Sequence, residues 1–195
     1  MLLGICDKKN FMDLFENFIL FDHSGGRTAK IFARNHQYLG VNEAVESYKT
    51  RKLKNGKLGV FWHTQGSGKS LTMVMVAKYI LEEMRSLNPR VIIVTDRKEL
   101  DKQIAKTFAH TRLSPARATS GKHLIELINK GSADVITSII NKFNTVENSG
   151  LKNQSRDIFV LIDESHRSNY GSLATKMRTV FPNACYIGFT GTPLM

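Results

Sequence analysis

A glycine-rich segment after the first long apolar run constrains this fold more than any other feature. Residues 64–70 (Thr-Gln-Gly-Ser-Gly-Lys-Ser) follow the apolar run 58–62 and precede the helix-forming run 71–77. This order of elements is typical of a nucleotide phosphate site: a strand, a glycine-rich turn that ends in Gly-Lys-Ser, and a helix. It binds phosphates because backbone N–H groups and the helix N-terminus converge on one point. The segment therefore predicts an α/β fold built around a triphosphate site.

The side chains of this segment indicate how the phosphates and a metal ion would be held. Lys69 is expected to reach the β- and γ-phosphates, and the Ser70 hydroxyl is expected to be a ligand of Mg²⁺. His63 stands where the usual pattern has its first glycine, so one position departs from it. A chance occurrence of Gly-Ser-Gly-Lys-Ser is the alternative interpretation. The residues expected to cradle ATP are Thr64, Gln65, Gly66, Ser67, Gly68, Lys69, Ser70 and Leu71.

The charge of the chain points to an anionic partner. Its 195 residues carry 28 Lys and Arg against 17 Asp and Glu, which gives a formal net charge of +11. The length suits one α/β domain with a full core. Such an excess of positive charge favours nucleic acid or a membrane face, although a basic surface that only aids solubility fits equally well.

The cysteines and the hydropathy of the chain indicate the cellular compartment in which we expect the protein. Cys6 and Cys185 have no metal-binding spacing, so we expect buried free thiols in a reducing cytoplasm. No apolar run reaches the length needed to span a membrane, and the N-terminus lacks the charge order of a signal peptide. We therefore expect a cytoplasmic protein without a membrane partner.

Strand-like and helix-like segments alternate after the glycine-rich segment. The strand-like segments are apolar on both faces, which is typical of parallel strands covered by helices on two sides. We therefore predict an α/β fold over residues 49–195, a three-layer sandwich with a mainly parallel central sheet. The predicted strands are 58–62, 90–95, 134–138, 158–162 and 184–189, and the predicted helices are 71–77, 98–108, 121–130 (capped by Ser120 and ended by Gly131) and 170–180.

Residues 1–48 are predicted to form a helical lead-in to this domain. A turn is expected over 23–27 and a second helix over 34–48. The basic stretch 49–57 is either a solvated connector or a DNA contact, and the connector is favoured. Five apolar residues recur at helical spacing and indicate the core-facing side of a first helix: Phe11, Leu14, Phe15, Phe18 and Ile19.

An acidic turn supplies the chemistry that the phosphate segment lacks. Asp163 and Glu164 directly follow the most apolar run of the chain, 158–162. A carboxylate at the end of a buried strand can face the metal ion that Ser70 holds, so Asp163 is expected to bind Mg²⁺ directly or through water. Glu164 could orient and deprotonate the attacking water. The alternative is a surface acidic turn, which does not explain why the turn comes straight off a core strand.

Together these motifs resemble the first motor domain of superfamily 2 helicases and translocases, and more closely the restriction (R) subunit of type I restriction–modification enzymes. The resemblance covers nearly the whole chain and implies a phosphate-loop NTPase domain of the RecA-like helicase type. His63 is usual in that family at the position where other phosphate loops have glycine. The residues that carry the resemblance are the segments 62–73, 94–97, 163–168 and 188–193 and the lead-in stretch 30–38.

The resemblance implies further residues around the nucleotide. Arg34 and Gln37 match residues that help to bind adenine, and a Gln amide can pair with both the donor and the acceptor of the adenine edge. His166 is also assigned to the nucleotide site. Thr190 would sense the nucleotide state from the end of the last strand. Without the resemblance, Arg34 and Gln37 would be interpreted as a solvent-facing pair on an amphipathic helix.

The resemblance also implies ATP hydrolysis that is coupled to movement on double-stranded DNA. Thr95 and Arg97 follow one strand, and Ser138 and Asn141 follow another, at positions where the family contacts the DNA backbone. Small hydroxyls and arginine suit phosphates, which hold a strand without reading its sequence. Strand-end capping is the alternative role for each of these residues.

The resemblance also implies protein partners and further domains. Methyltransferase and specificity subunits are the expected protein partners, and we expect this chain to lack the nuclease domain and the second motor domain of the family. Because a second motor domain supplies an arginine finger to the ATP cleft, we expect weak MgATP binding and negligible hydrolysis by the chain alone. Another superfamily 2 helicase or remodeller, or a nucleotide-binding scaffold without turnover, are the alternatives. The stretch 62–65 argues against the first, and intact Lys69, Ser70, Asp163 and Glu164 argue against the second.

Overall fold

The computed structural model describes residues 6–23, 25–64, 66–131, 133–163 and 170–191, with only the backbone over 170–174. The acidic turn beyond Asp163 and the end of the chain beyond Gly191 are therefore outside the described residues.

A six-stranded sheet forms the centre of the molecule, and its strands are β3 (Lys57–Trp62), β4 (Arg90–Thr95), β5 (Ala116–Arg117), β6 (Val135–Ile139), β7 (Ile158–Asp163) and β8 (Cys185–Thr190). Two earlier strands, β1 (Ile19–Asp22) and β2 (Ala29–Phe32), lie in the lead-in. The strand order of the central sheet is β3-β8-β7-β4-β6-β5. Every neighbouring pair in this sheet is parallel, which confirms the predicted strand direction. β4, β7 and β8 are buried over nearly their whole length, as expected of strands with helices on both faces.

Helices cover both faces of the sheet, and the predicted three-layer sandwich is confirmed. Alternate residues of β4 point into two separate apolar clusters, with Val91 and Ile93 in one and Ile92 and Val94 in the other. The helices are α1 (Lys8–Asn17), α2 (Asn35–Lys49), α3 (Lys69–Glu83), α4 (Lys98–His110), α5 (Gly121–Lys130), α6 (Phe143–Asn148) and α7 (Tyr170–Val180). α2, α3 and α4 pack over the first cluster, and α5, α6 and α7 pack over the second.

Among the helices of the described ranges, none combines the length and the apolar character that a membrane crossing requires. The longest, α2 and α3, have 15 residues each.

The bounds of α5 agree with the sequence prediction because both ends carry strong local signals. The Ser120 hydroxyl accepts a hydrogen bond from the His123 N–H at 3.1 Å, which caps the first turn. Gly131 adopts a φ of +61°, a left-handed conformation that ends the helix. The helix is therefore specified by its own sequence.

The lead-in differs from the predicted core-facing helix. α1 ends at Asn17, and the chain then forms an antiparallel hairpin of β1 (Ile19–Asp22) and β2 (Ala29–Phe32). Phe11 and Phe15, on the helix, are 51% and 62% exposed, whereas Phe18, just beyond it, is fully buried. The helical spacing was misleading because it continued into an apolar stretch, Ile19-Leu20-Phe21, that pairs as a strand across the Gly25-Gly26 turn.

The two thiols also differ from each other. Cys185 is buried in β8, and burial raises the pKa of its thiol to about 11. Cys6 is exposed, so the prediction of two buried thiols is wrong for this residue. Cys6 precedes α1 at an exposed position of the chain.

Candidate nucleotide-binding site

The phosphate segment and the acidic strand end meet at one edge of the sheet. β3, β8 and β7 are neighbours, and the segment after β3 lies beside Thr190 at the end of β8 and Asp163 at the end of β7. Ligands bind at this edge in open α/β sheets. The edge opens into a cavity of about 820 Å³ lined in part by Thr64, Gly66, Gly68, Lys69, Ser70, Leu71, Asp163 and Gly191.

Two glycines give the phosphate segment its shape. Gly66 and Gly68 adopt φ values of +82° and +91°, a region that side chains with a Cβ rarely enter. Gly68 is the N-cap of α3, so the chain turns sharply and the helix begins at Lys69. The N-terminus of α3, with its partial positive charge, therefore faces the cavity.

An ion pair joins the two motifs across the cavity. The Lys69 Nζ lies 2.8 Å from the Asp163 Oδ1, and the side chain of Asp163 is only 3% exposed. A buried carboxylate requires a cation or strong hydrogen bonds, because burial alone disfavours its charge. Asp163 is therefore part of an interior polar site, and the alternative of a surface acidic turn is wrong for this residue.

The donor set at the cavity fits Mg²⁺. Ser70 and Asp163 both line the cavity, and they supply a hydroxyl oxygen and a carboxylate as possible ligands. Mg²⁺ keeps several waters and is usually bound by one or two carboxylates together with substrate phosphates. Within the described residues no cluster of three or more His, Cys, Asp or Glu side chains could hold a metal by itself. The site therefore suits a metal ion that arrives with a nucleotide.

Gln37 is hydrogen-bonded to the phosphate segment and to the first turn of α3. Its amide, 3% exposed, donates to the Thr72 hydroxyl at 2.9 Å and to the Gly68 carbonyl at 3.3 Å, while its Oε1 accepts from the Arg34 N–H at 2.9 Å. The solvent-facing alternative is thus wrong for Gln37, whereas Arg34 is exposed at the start of α2. Contact of this pair with adenine stays a prediction.

Comparison with known proteins agrees with this geometry. The family model described as SWI2/SNF2 ATPase matches residues 36–195. The chain belongs to the SWI2/SNF2 ATPase family. A curated relative, the type I restriction enzyme HindI endonuclease subunit of Haemophilus influenzae, is 36% identical over the whole chain. The chain spans about a fifth of the length of the curated relatives that it matches, with 21% of that subunit and 19% of a putative type I restriction enzyme endonuclease subunit of Methanocaldococcus jannaschii covered.

Solved structures confirm the fold of this SWI2/SNF2 ATPase domain. The UvsW helicase of bacteriophage T4 superposes with a TM-score of 0.63 at 19% identity, covering 95% of this chain and 60% of that one. The Sulfolobus solfataricus SWI2/SNF2 ATPase core, solved in complex with double-stranded DNA, gives a TM-score of 0.60 at 18% identity, with 92% and 34% coverage. The chain is therefore similar to the RecA-like domains of helicases, and it carries an ATPase-like motor domain of the kind present in restriction enzyme subunits.

His63 connects the phosphate segment of this ATPase domain to β8. The backbone N–H of His63 donates to the Thr190 carbonyl at 2.9 Å. The His63 ring packs edge-on against the His36 ring, with the two centroids 5.0 Å apart. The ring is 5% exposed, and its Nδ1 has no hydrogen-bond partner within the described part of the chain. Burial, and then the neighbouring His36 and Lys69, lower the pKa of His63. A neutral ring is thus built into the base of the site.

This lowered pKa predicts a loss of stability in acid. Because the folded state holds the proton less tightly than the unfolded state, the contribution of His63 is complete above about pH 6.5 and is lost as the pH falls towards the lowered pKa. Relative to His63→Phe, the free energy of unfolding should fall by up to about 1.4 kcal/mol per pH unit in that window. Urea denaturation at several pH values measures it, and parallel profiles for the two proteins would contradict the expectation.

The predicted DNA-contact residues divide into two kinds. Thr95 and Ser138 are 1% and 0% exposed, and their hydroxyls donate to the Arg97 carbonyl at 3.3 Å and the Ile139 carbonyl at 3.2 Å, which is the capping alternative. Arg97 and Asn141 are exposed at the same edge of the sheet. Three other predicted site residues, Gln65, Glu164 and His166, lie outside the described residues.

Proposed function

We propose that this chain is the ATP-binding half of a DNA-translocating motor in a type I restriction endonuclease subunit, whose full protein couples ATP hydrolysis to movement on duplex DNA. The ion pair between Lys69 and Asp163 is the observation that carries the proposal. It brings a cation for phosphates and a carboxylate for Mg²⁺ to one cavity, as nucleotide hydrolysis requires.

The described residues support a sequence of roles in this site. As a triphosphate enters, Lys69 exchanges the Asp163 carboxylate for β- and γ-phosphate oxygens, and the backbone N–H groups after Gly66 bind the remaining phosphate oxygens. Asp163 and Ser70 would hold Mg²⁺, which neutralises the charge that develops on the phosphates. Glu164 is proposed to orient and deprotonate the attacking water.

The hydrogen bond from His63 to Thr190 supports communication between the nucleotide and the sheet edge. A shift of the phosphate segment on binding would move the end of β8 through this bond, and Thr190 could thereby sense the nucleotide state. Adenine is proposed to lie beside Arg34 and Gln37, since Gln37 already contacts the segment that holds the phosphates.

Duplex DNA is the proposed nucleic-acid partner, and methyltransferase and specificity subunits are the proposed protein partners. The net charge of +11 and the exposed Arg97 and Asn141 favour a phosphate backbone as the ligand. Contacts of this kind hold DNA without reading its sequence, which a motor that moves along DNA requires.

The salt dependence of DNA binding tests this proposal. Each neutralised phosphate releases a counterion, so raising the salt from about 50 to about 200 mM should weaken binding about tenfold for every two phosphates contacted. Fluorescence anisotropy with a labelled duplex of arbitrary sequence measures the effect. Binding that does not respond to salt would favour a scaffold role with a protein partner.

A further inference from the structure

The nucleotide cavity extends beyond the phosphate segment, along the length of α4. From Leu100 to His110 this helix rises about 15 Å, because each residue adds about 1.5 Å. α4 begins after the carboxyl end of β4, so its last turn lies away from the sheet edge at which the phosphates would bind. The cavity therefore has room for a whole nucleotide. Its lining from α4 consists of Leu100, Gln103, Ile104, Thr107 and His110.

The hairpin of the lead-in supplies a second wall at the end of the cavity that is far from the phosphates. Asp22 and Ile31 both line the cavity, and the pairing register places them on one face of the hairpin. The backbone N–H of His23 donates to the His110 carbonyl at 3.1 Å. This hydrogen bond fixes the end of β1, and with it Asp22, against the last turn of α4.

Asp22 and His110 form a polar pair at this end of the cavity. The Asp22 Oδ1 and the His110 Nδ1 are 3.9 Å apart, and the two side chains are 28% and 30% exposed. That distance is too long for a hydrogen bond between these two atoms, and an ion pair this accessible to water contributes little to stability. A carboxylate has about four acceptor positions, so Asp22 can accept hydrogen bonds from a ligand.

The negative charge of Asp22 determines which group of a nucleotide fits beside it. A carboxylate repels phosphate and binds hydrogen-bond donors. In ATP the donors are the adenine amino group and the ribose hydroxyls, and the adenine is proposed to lie beside Arg34 and Gln37. The ribose hydroxyls are therefore the donors left for Asp22. Acidic side chains accept from ribose hydroxyls in the same way in dinucleotide-binding folds.

We propose that the Asp22 carboxylate binds the ribose hydroxyls of ATP, with His110 as the positioning residue that orients this carboxylate. The site would then select ribonucleotides over deoxyribonucleotides. The proposal rests on the proposed function, because the phosphate segment must hold the triphosphate before the sugar can reach Asp22. Neither residue belongs to the phosphate segment, so the sugar and the phosphates can be tested separately.

Deoxy-ATP, which lacks the 2′-hydroxyl, tests the ribose contact. The unsubstituted chain should bind MgATP about tenfold more tightly than Mg-deoxy-ATP, since a hydrogen bond to a charged group is lost. Asp22→Ala should reduce this ratio to about one. Inorganic triphosphate, a probe of the phosphate segment alone, should bind both proteins equally. NMR titration of the ¹⁵N-labelled chain, which suits weak binding, measures each affinity.

Three further variants separate positioning from folding. His110→Ala should lower the ratio of the two affinities about threefold, and His110→Gln, which keeps a donor for Asp22, should restore most of it. Asp134→Ala is the matched control and should keep the full ratio, because Asp134 is exposed before β6 and outside the cavity. A change in folding alone would weaken both nucleotides equally and leave their ratio as it was.

Two results would overturn the ribose site and leave the phosphate assignment intact. One is equal binding of MgATP and Mg-deoxy-ATP by the unsubstituted chain, and the other is an unchanged ratio in Asp22→Ala. If the unsubstituted chain bound neither MgATP nor inorganic triphosphate, the proposed function would be wrong as well.

Discussion

Replacing Lys69 with alanine is expected to weaken MgATP binding about 100-fold, which corresponds to about 2.7 kcal/mol. Lys69 is the charged side chain of the phosphate segment and lies inside the cavity, 2.8 Å from Asp163. Hydrogen bonds to charged groups each contribute roughly 1.5–3 kcal/mol, and Lys69 would contact two phosphates. Fluorescence titration with a labelled ATP analogue measures the loss.

The controls for this substitution address charge and folding. Lys52→Ala removes the same charge from an exposed residue outside the cavity and should bind the analogue like the unsubstituted chain. Lys69→Ala also leaves the buried Asp163 without its cation, so the double variant Lys69→Ala, Asp163→Asn restores neutrality in the interior. Equal analogue affinity in Lys69→Ala and the unsubstituted chain would contradict the assignment of the phosphate segment.

Replacing Gly56 with alanine is expected to lower the free energy of unfolding by roughly 2–4 kcal/mol. Gly56 has a φ of +74°, and an added Cβ would lie 2.3 Å from the Ala184 carbonyl oxygen. That oxygen belongs to the backbone before β8 and cannot rotate away as a side chain could. The Gly56 carbonyl also accepts from the Tyr186 N–H at 2.7 Å, so the clash falls where β3 and β8 begin to pair.

Gly150→Ala isolates the contribution of the clash. Gly150 has nearly the same φ, +71°, with nothing within 4 Å of the added Cβ, so only the strained backbone should matter, at about 1 kcal/mol. Urea denaturation of the two variants gives the comparison. If both variants lost the same free energy of unfolding, the contact of the added Cβ with the Ala184 carbonyl would have no energetic cost, and the expectation for Gly56→Ala would be wrong.

Elements with strong local signals could be predicted, and elements that depend on distant contacts could not. The apolar runs of β4, β7 and β8 and the capped ends of α5 carry their structure in neighbouring residues. The hairpin of the lead-in shows a local signal only for its turn, 23–27. Its strands were missed because the helical spacing of the phenylalanines continues into β1. β5 has only two residues, and its strand conformation depends on pairing with β6.

The candidate site shows the same division. Lys69 and Asp163 could be assigned from their motifs, because parallel strands bring their carboxyl ends together. The bond from Gln37 to Gly68 could not be assigned from the sequence, because it joins residues 31 positions apart and depends on how α2 packs beside the phosphate segment.

The central claim is that the segment before α3 binds the phosphates of ATP, and amide NMR of the ¹⁵N-labelled chain tests it most directly. Addition of MgATP to millimolar concentrations should shift the amide signals of Gly66, Gly68, Lys69 and Ser70 in a saturable manner. AMP, which lacks the β- and γ-phosphates, should leave these signals nearly unchanged. Equal shifts with AMP and MgATP, or no shift of these four amides with MgATP, would contradict the claim.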